Sequence, residues 1–456
     1  MNKRRHRRRK LPNAPVALDI TSLSHEGRGV AHIDGKLAFV DGALTGERVT
    51  ATYVRRRSQF DELRVNSVEV ASKQRVEPRC KFAVQCGGCS LQHMHSDTQI
   101  EFKQSVLLEQ LQHAAAISPE NIQILPFLQA RKFNYRRKAR LAVRMVAKKG
   151  GALVGFREKY SSFITEMDDC KVLVEEVAVL IQPLREIITR LQGSRLIPQI
   201  EVAVGERMEA GNSVNQVALV IRHLEPLHAT DLEQWLTFAE QQKVDLYLQP
   251  SGNDSVHKVY PADGEERLQY FLPEFDLTMR FHPMDFTQIN AEINRLIIPQ
   301  ALTLLELNNQ DTVLDLFCGL GNFTLPMARI CESVTGVEGN KEMIERGKEN
   351  AKLNNIDNAN FYIANLCDSI EGKAWSAIKF TKILLDPPRS GAIEIIQQIA
   401  KLGAQKIVYI SCNPATLARD TACLIGNGYR LKSAGVMDMF PHTTHVESMA
   451  EFEYAK

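Results

Sequence analysis

Between residues 15 and 71, apolar and polar positions alternate in short runs at 16–20, 29–33, 37–40, 48–53 and 62–70, with Gly27, Gly35, Gly42 and Gly46 between them. A period of two marks half-buried strands, and glycine supplies the left-handed backbone that tight turns need. Five short strands with basic turns predict a small OB-like β-barrel. From 72 to about 97 the periodicity fades and three cysteines appear, so a bound metal is expected to order this stretch in place of an apolar core. A helix is predicted over 100–111. Strand-like runs at 141–146, 199–204, 217–221, 245–249 and 277–281 then mix with helical segments near 173–192 and 229–242, an α+β pattern. Beyond about 285 the chain reads strand, Gly- or Pro-rich turn, helix, repeatedly. The strands fall at 312–317, 333–338, 360–364, 382–386 and 406–411, with helices such as 341–353 and 392–402. This alternation predicts a doubly wound, Rossmann-like parallel sheet.

The expected organisation is therefore multidomain α/β. A disordered basic tail covers 1–14, a barrel 15–71, a central α+β domain 72–275 (whose helix over 97–115 is free to pack elsewhere) and a sheet domain 276–456. At 456 residues, two or three cores are the natural outcome. Hydrophobic content of 44% and charged content of 24% suit an ordinary globular protein, and no apolar run reaches membrane-spanning length. Residues 1–10 carry seven Lys or Arg and no apolar stretch follows, which excludes a secretory signal. A cytoplasmic protein without a membrane partner is expected. The net charge is only +2, but basic residues cluster in the tail, at Arg55, Arg56 and Arg57, and six times within 131–140. Three such clusters point to a nucleic-acid partner.

Nine cysteines in such a chain are expected to be reduced. Cys80, Cys86 and Cys89 lie close together, with Gly87 and Gly88 allowing the backbone to fold round an ion. Cys170 is the only other cysteine before the sheet domain and becomes the fourth ligand by elimination. Four thiolates suit structural zinc or an iron–sulfur cluster, and the spacing leaves both open. Cys318, Cys331, Cys367 and Cys423 are expected in the core.

The strand at 312–317 runs into Cys318-Gly319-Leu320-Gly321-Asn322, where a ligand can approach bare backbone. A dinucleotide fingerprint would have a third glycine where Thr324 stands, so a cofactor without a pyrophosphate fits better. Glu338 ends the next strand, placed to accept hydrogen bonds from ribose hydroxyls, and Asn365 and Asp386 end the two after it. In Asp386-Pro387-Pro388-Arg389, Arg389 stands where amino-group methyltransferases carry a stacking aromatic, which argues against that chemistry. Cys412 closes the fifth strand, followed by Asn413 as helix cap and Pro414 in the first turn. A thiol beside a helix N-terminus is biased toward thiolate and reads as a nucleophile. Glu447 is the only acidic residue in His442-Thr443-Thr444-His445-Val446-Glu447-Ser448-Met449 and reads as the partner base, with His442 and His445 as competitors.

Three of these stretches resemble the RNA uracil-5 methyltransferase family: Asp315 to Phe323, Ser411 to Asp420, and His445 to Met449. Ser24-x-x-Gly27-x-Gly29-Val30-Ala31 resembles a TRAM domain. The likeness covers nearly all of the chain after the tail. It implies a [4Fe-4S] cluster on Cys80, Cys86, Cys89 and Cys170, and S-adenosylmethionine surrounded by Gln288, Phe317, Asn322, Glu338, Asn365 and Asp386. It also implies Cys412 as nucleophile toward carbon 6 of uracil and Glu447 as the base that removes the carbon 5 proton. Barrel and cluster together point to the branch that acts on 23S ribosomal RNA, as a monomer. A transfer-RNA uridine methyltransferase and a non-catalytic ribosomal-RNA-binding factor are the alternatives.

Overall fold

The structure, a computed structural model, describes residues 11–12, 14–399 and 402–455, so most of the expected basic tail lies outside the described residues. The chain divides into two compact units. One holds the chain up to Phe102 together with His442–Thr444; the other holds the rest.

The first unit is built on β1 (Val16–Asp19), β2 (Ser22–Leu23), β3 (Gly29–Ile33), β4 (Lys36–Asp41), β5 (Arg48–Arg56) and β6 (Phe60–Val70). They form one sheet in the order β1-β5-β6-β4-β3-β2, antiparallel except between β4 and β6. β1 also packs against β3, which curls the sheet back on itself. Inward positions on successive strands, among them Leu18, Ala31, Val40, Val49 and Leu63, make its core. Gly29 allows a close approach: a Cβ there would lie 2.9 Å from both Ala43 Cβ and Ile20 Cγ2.

The cysteine-bearing stretch packs into this same unit. Leu91 and Met94 join Leu44 in a buried apolar cluster, and the Arg75 guanidinium donates to the buried Glu47 carboxylate at 2.5 and 2.7 Å. The stretch thus has an anchor independent of any metal. Two apolar residues and one ion pair leave no periodicity to read, so the sequence concealed it.

Helix α1 (Ser96–Ala115) and the short β7 (Gln123–Ile124) follow. The central part of the second unit comprises β8 (Lys138–Val146), β9 (Gly151–Gly155), α2 (Glu175–Ala178), α3 (Ile181–Arg190), β10 (Gln199–Glu209), β11 (Asn212–Arg222), α4 (Ala229–Gln242), β12 (Asp245–Gln249) and β13 (His257–Tyr260). Its strands make a mixed sheet, β13-β12-β11-β10-β8-β9, and a hairpin of β14 (Leu268–Leu272) and β15 (Leu277–Phe281) leads on.

The remainder is α5 (Ala291–Leu305), β16 (Thr312–Leu316), α6 (Thr324–Ala328), β17 (Ser333–Glu338), α7 (Lys341–Leu353), β18 (Ala359–Ile363), β19 (Lys382–Leu385), α8 (Ile393–Ile399), β20 (Lys406–Ser411), α9 (Pro414–Gly426), β21 (Tyr429–Met437) and β22 (Glu447–Tyr454). Five strands run parallel in the order β18-β17-β16-β19-β20, the doubly wound arrangement expected, and every residue of β19 and β20 is buried. The sheet then continues past β20 with β22, antiparallel to both β20 and β21. Asparagine caps open the helices on the ligand side: Asn290 Oδ1 accepts from Ile293 N, Asn340 Oδ1 from Met343 N, and Asn413 Oδ1 from Ala415 N.

Candidate active site

The C-terminal ends of β16 to β19 bring four of the expected ligand residues to one edge. Beyond β16 the backbone is left-handed at Phe317, Gly319 and Gly321, so the chain turns sharply before α6. Asp315 is buried and its Oδ2 accepts from the Thr324 hydroxyl at 2.5 Å, which explains a threonine where a dinucleotide site has glycine. Parallel pairing sets Leu316 beside Val337, so Phe317 and Glu338 emerge together, and Phe317 N donates to Val337 O. Glu338 Oε2 accepts from Gly319 N at 3.3 Å and Oε1 from Asn340 N at 2.9 Å, which ties the glycine turn to the end of β17. Asn365 is exposed after β18, and Asp386 N donates to Leu316 O after β19.

Asn322 is held by a reciprocal amide pair with Asn294, at 2.9 and 3.0 Å, and by the Tyr270 hydroxyl at 2.8 Å. Neither Tyr270 nor Asn294 was legible in the sequence, since both lie outside the sheet motif. Gln288 sits in the irregular segment between β15 and α5, which is fastened where Arg137 N donates to Ile289 O at 2.9 Å; Phe286 in the same segment is 70% exposed. Burial pushes the Asp315 carboxyl up to about 7, with the Thr324 hydrogen bond pulling down and the Glu338 charge adding to the rise. Burial, then the charges of Glu447 and Asp315, hold Asp386 well above the usual carboxylate range. Asp315 Oδ1 is buried without a hydrogen-bond partner among the described residues.

The β20–β22 pairing joins the second half of the site. Ser411 lies opposite Ser448, where the ladder ends, and the Glu447 charge acts on the Cys412 thiol just beyond it. Residues 35 positions apart in sequence are thereby brought within electrostatic reach of each other at the edge of the crevice. The half-buried Cys412 precedes the Asn413 cap, and Asn413 Nδ2 and the Thr416 hydroxyl both donate to Arg389 O, at 3.0 and 3.4 Å. The turns after β19 and β20 are thus bonded to each other. Burial pushes the Cys412 thiol up to about 11, the charges of Glu447 and Asp386 adding to the rise and Arg389 opposing it. The expected bias toward thiolate is therefore reversed: a helix N-terminus contributes about 0.3–1 kcal/mol, less than desolvation and two adjacent carboxylates cost the anion.

Glu447 is raised by burial and pulled back by His445, Arg389 and Lys103. His445 Nε2 donates to Glu447 Oε1 at 3.0 Å, Arg389 Nη2 donates to His445 Nδ1 at 3.4 Å, and the Phe440 ring meets the imidazole edge-on at 4.4 Å. Lys103, fully buried, donates to Asp438 Oδ1 at 2.7 Å and to Phe440 O at 2.9 Å, fixing the chain after β21. Lys103 and Asp438 were not assigned from sequence to this neighbourhood, and Arg389 was placed at its strand end without a role toward Glu447. His442 belongs to the first unit, where its main-chain N donates to Gln99 Oε1.

Of the expected metal ligands, Cys80, Cys86 and Cys89 lie in the first unit and Cys170 in the second. Cys86 and Cys89 are buried, and Gly88 N donates to Cys86 Sγ at 3.4 Å; Cys170 is buried in its own unit. Cys318 and Cys331 are core, as expected, whereas Cys367 is exposed and Cys423 half-buried. Both of these follow short turns or helix faces, which composition alone does not orient. Glu306, Glu451 and Glu453 converge on Lys406 Nζ at 2.7, 2.9 and 3.3 Å, so that acidic group already holds its cation. In the basic run 131–140, Lys132 pairs with Asp438 and Arg137 with Glu206, both largely covered, while Arg131 beside Glu292 and Arg140 beside Glu201 stay exposed.

Residues 265–453 match the tRNA (Uracil-5-)-methyltransferase family profile and residues 13–57 the TRAM domain. The 23S rRNA (uracil(1939)-C(5))-methyltransferase RlmD of Hahella chejuensis is 52% identical over 454 residues, covering 98% of this chain and 99% of the relative. The protein of the same name from Alcanivorax borkumensis is 48% identical over 450 residues, 99% of each chain. Among solved structures, the tRNA (uracil-54, C5)-methyltransferase of Pyrococcus abyssi, in complex with S-adenosyl-L-homocysteine, superposes with a TM-score of 0.73 at 25% identity, over 96% of this chain and 99% of that one. With half its residues identical to such relatives from end to end, the chain belongs to the RlmD family of uracil-C5 methyltransferases.

Proposed function

We propose that this protein transfers a methyl group from S-adenosylmethionine to carbon 5 of a uridine in 23S ribosomal RNA, the counterpart of the uracil 1939 for which its relatives are named. The observation that carries the reading is the β20–β22 pairing, ending at Ser411 and Ser448, which brings Cys412 within reach of the Glu447 charge beside the strand ends of the crevice. Carbon 5 of uracil is a poor nucleophile. The Cys412 thiol gives up its proton to water and its sulfur adds to carbon 6; the ring electrons form an enolate, and carbon 5 would take the methyl group as the donor's methyl–sulfur bond breaks and a neutral thioether leaves. Glu447 then removes the proton from carbon 5, the carbon–sulfur bond breaks, and the thiolate leaves. His445 and Arg389 hold Glu447 ready for this, because each hydrogen bond in their chain points a donor toward the carboxylate.

S-adenosylmethionine supplies an electrophilic methyl on a sulfonium, with an ammonium at its other end. The residues present fit such a group. Asp315 and Asp386 are buried acids with raised affinity for protons, a setting that a cationic ligand relieves, and Glu338 is positioned for ribose hydroxyls. Gln288, Phe317, Asn322 and Asn365 complete the proposed surround.

Cys80, Cys86, Cys89 and Cys170 are proposed to hold a [4Fe-4S] cluster. Four thiols form the right donor set, and the Gly88 N–H directed at Cys86 Sγ is of the kind that stabilises thiolate ligands. Iron and acid-labile sulfide near four per chain after anaerobic purification would support the cluster; zinc at one per chain would replace it. The protein is proposed to act in the cytoplasm, as a monomer. The reaction is tested with RNA carrying 5-fluorouridine, which cannot lose the carbon 5 substituent. A stable protein–RNA adduct is expected, and its persistence in Cys412→Ser would remove Cys412 from the role.

A further inference from the structure

The second unit contains a cavity of about 420 Å³, within the range of about 300–1,000 Å³ usual for small-molecule sites. Its walls come from the turn before β8, the β10–β11 hairpin and the start of α5, and include Tyr135, Arg137, Glu206, Val214, Asn290 and Arg295. Cys412, Glu447, Glu338 and Asp386 take no part in it, so it is distinct from the methyl-transfer site.

Two features restrict what it can hold. Its charges cancel, since three arginines face three glutamates: Arg137 and Arg295 both donate to Glu206, at 2.8 Å and at 2.7–2.8 Å, and Arg131 pairs with Glu292. A phosphate would find its cations already engaged. Asn290, in turn, is 1% exposed; its Oδ1 caps α5, but its Nδ2 has no hydrogen-bond partner among the described residues. An unpaired buried amide donor is costly, and Asn290 lines a cavity whose other amide walls are Asn134 and Asn215. The complement is a neutral, flat group bearing a hydrogen-bond acceptor.

We propose that this cavity receives a second base of the RNA, one unpaired nucleotide near the target uridine, with Asn290 Nδ2 donating to a ring nitrogen or carbonyl of that base. The inference rests on the reaction proposed above. Single-stranded RNA is read by extruded bases whose edges meet amides and whose faces meet aromatic side chains, and Asn290 and Tyr135 both line this cavity. The location suits this role. Asn290 lies two residues beyond Gln288, and Arg137, which lines the cavity, is bonded through its N to Ile289 O, so one segment walls both the cavity and the cofactor crevice. Seating the second base would orient the target by strain along the intervening backbone.

The test is steady-state methylation of a 23S ribosomal RNA fragment in which each unpaired nucleotide around the target is made abasic in turn. With the wild-type enzyme, one abasic position other than the target is expected to raise KM about tenfold and leave kcat within about twofold. Asn290→Asp keeps the cap but exchanges the donor for an acceptor, and Val214→Trp fills the cavity. Both are expected to raise KM for the intact fragment by a similar factor and to lose sensitivity to that one position. The proposal is overturned if no non-target position matters, or if both variants respond to every abasic position as the wild type does. Should Val214→Trp unfold early in thermal melts, Asn290→Asp decides alone. Failure of the wild type to methylate the intact fragment would instead overturn the proposed reaction.

Discussion

Asp315 shows how a single buried acid links stability to ligand affinity. Its carboxyl is raised from the ordinary value to about 7, so between about pH 4 and 7 the folded chain binds more protons than the unfolded one. Stability from this group is therefore greatest in acid and is lost as pH rises through 7. Asp315→Asn removes the charge and keeps an acceptor for Thr324. It is expected to stabilise the ligand-free protein at pH 8 by on the order of 2–4 kcal/mol in denaturant titrations, and to weaken S-adenosylmethionine binding in calorimetry. At Glu447 the relevant neighbour is His445, whose Nε2–H is the donor that favours the ionised carboxylate. His445→Ala is expected to lower kcat by about 10²-fold or more, to accumulate covalent RNA adduct on gels, and to shift the rise of kcat to higher pH. His445→Gln, which can still donate, should restore part of the rate. If His445→Ala leaves the pH profile unchanged, the histidine is only packing against Phe440.

Among elements, those with a clean period were legible. β3, β12, β15, β17 and β20 and helices α4 and α7 occupy the spans that their patterns predicted, because each buries one face or both in an uninterrupted core. β9, β14 and β21 were not foreseen. β9 is five residues bounded by glycines, and β21 carries Lys432 and Ser433 at a register shift, where the alternation breaks. The strand ends of the crevice could be read because a parallel strand deposits its last polar residue at one edge. The proton balance at Cys412 could not, since the neighbouring carboxylates come from distant turns. The Asn413 cap ties these turns together, so Asn413→Ala is expected to cost about 1 kcal/mol in thermal melts and to lower kcat more than it raises KM. Asn413→Asp should retain the cap while losing the bond to Arg389 O, separating stability from activity.

For the whole molecule, two of the basic clusters of the sequence differ in how their cations are paired. Within 131–140, Arg137 is bonded to the buried Glu206, while Arg131 and Arg140 stay exposed beside Glu292 and Glu201; Arg55, Arg56 and Arg57 at the end of β5 are exposed as well. Arg55 and Arg56 face Glu62 and Asp61 only at 3.7 and 3.5 Å, close to the limit of pairing. If these arginines contact phosphate, replacing Arg55 and Arg57 by Gln should weaken RNA binding uniformly across sequences. It should also reduce the slope of log K against log salt by about one per lost contact. Arg140→Gln, which breaks the pair with Glu201, should leave that slope unchanged.

The sequence by itself determined the barrel, the parallel sheet, the order of polar residues along its edge and the family resemblance, because these depend on local periodicity and on motifs contiguous in the chain. Only the tertiary structure decided that β22 runs back beside β20, so that Ser411 meets Ser448 and the Glu447 charge reaches Cys412. It also decided which basic residues find a carboxylate, and that Asn290 lines a cavity with its Nδ2 unpaired among the described residues. Register, desolvation and pairing are properties of residues far apart in the chain, and they acquire values only when the fold sets the distances between them.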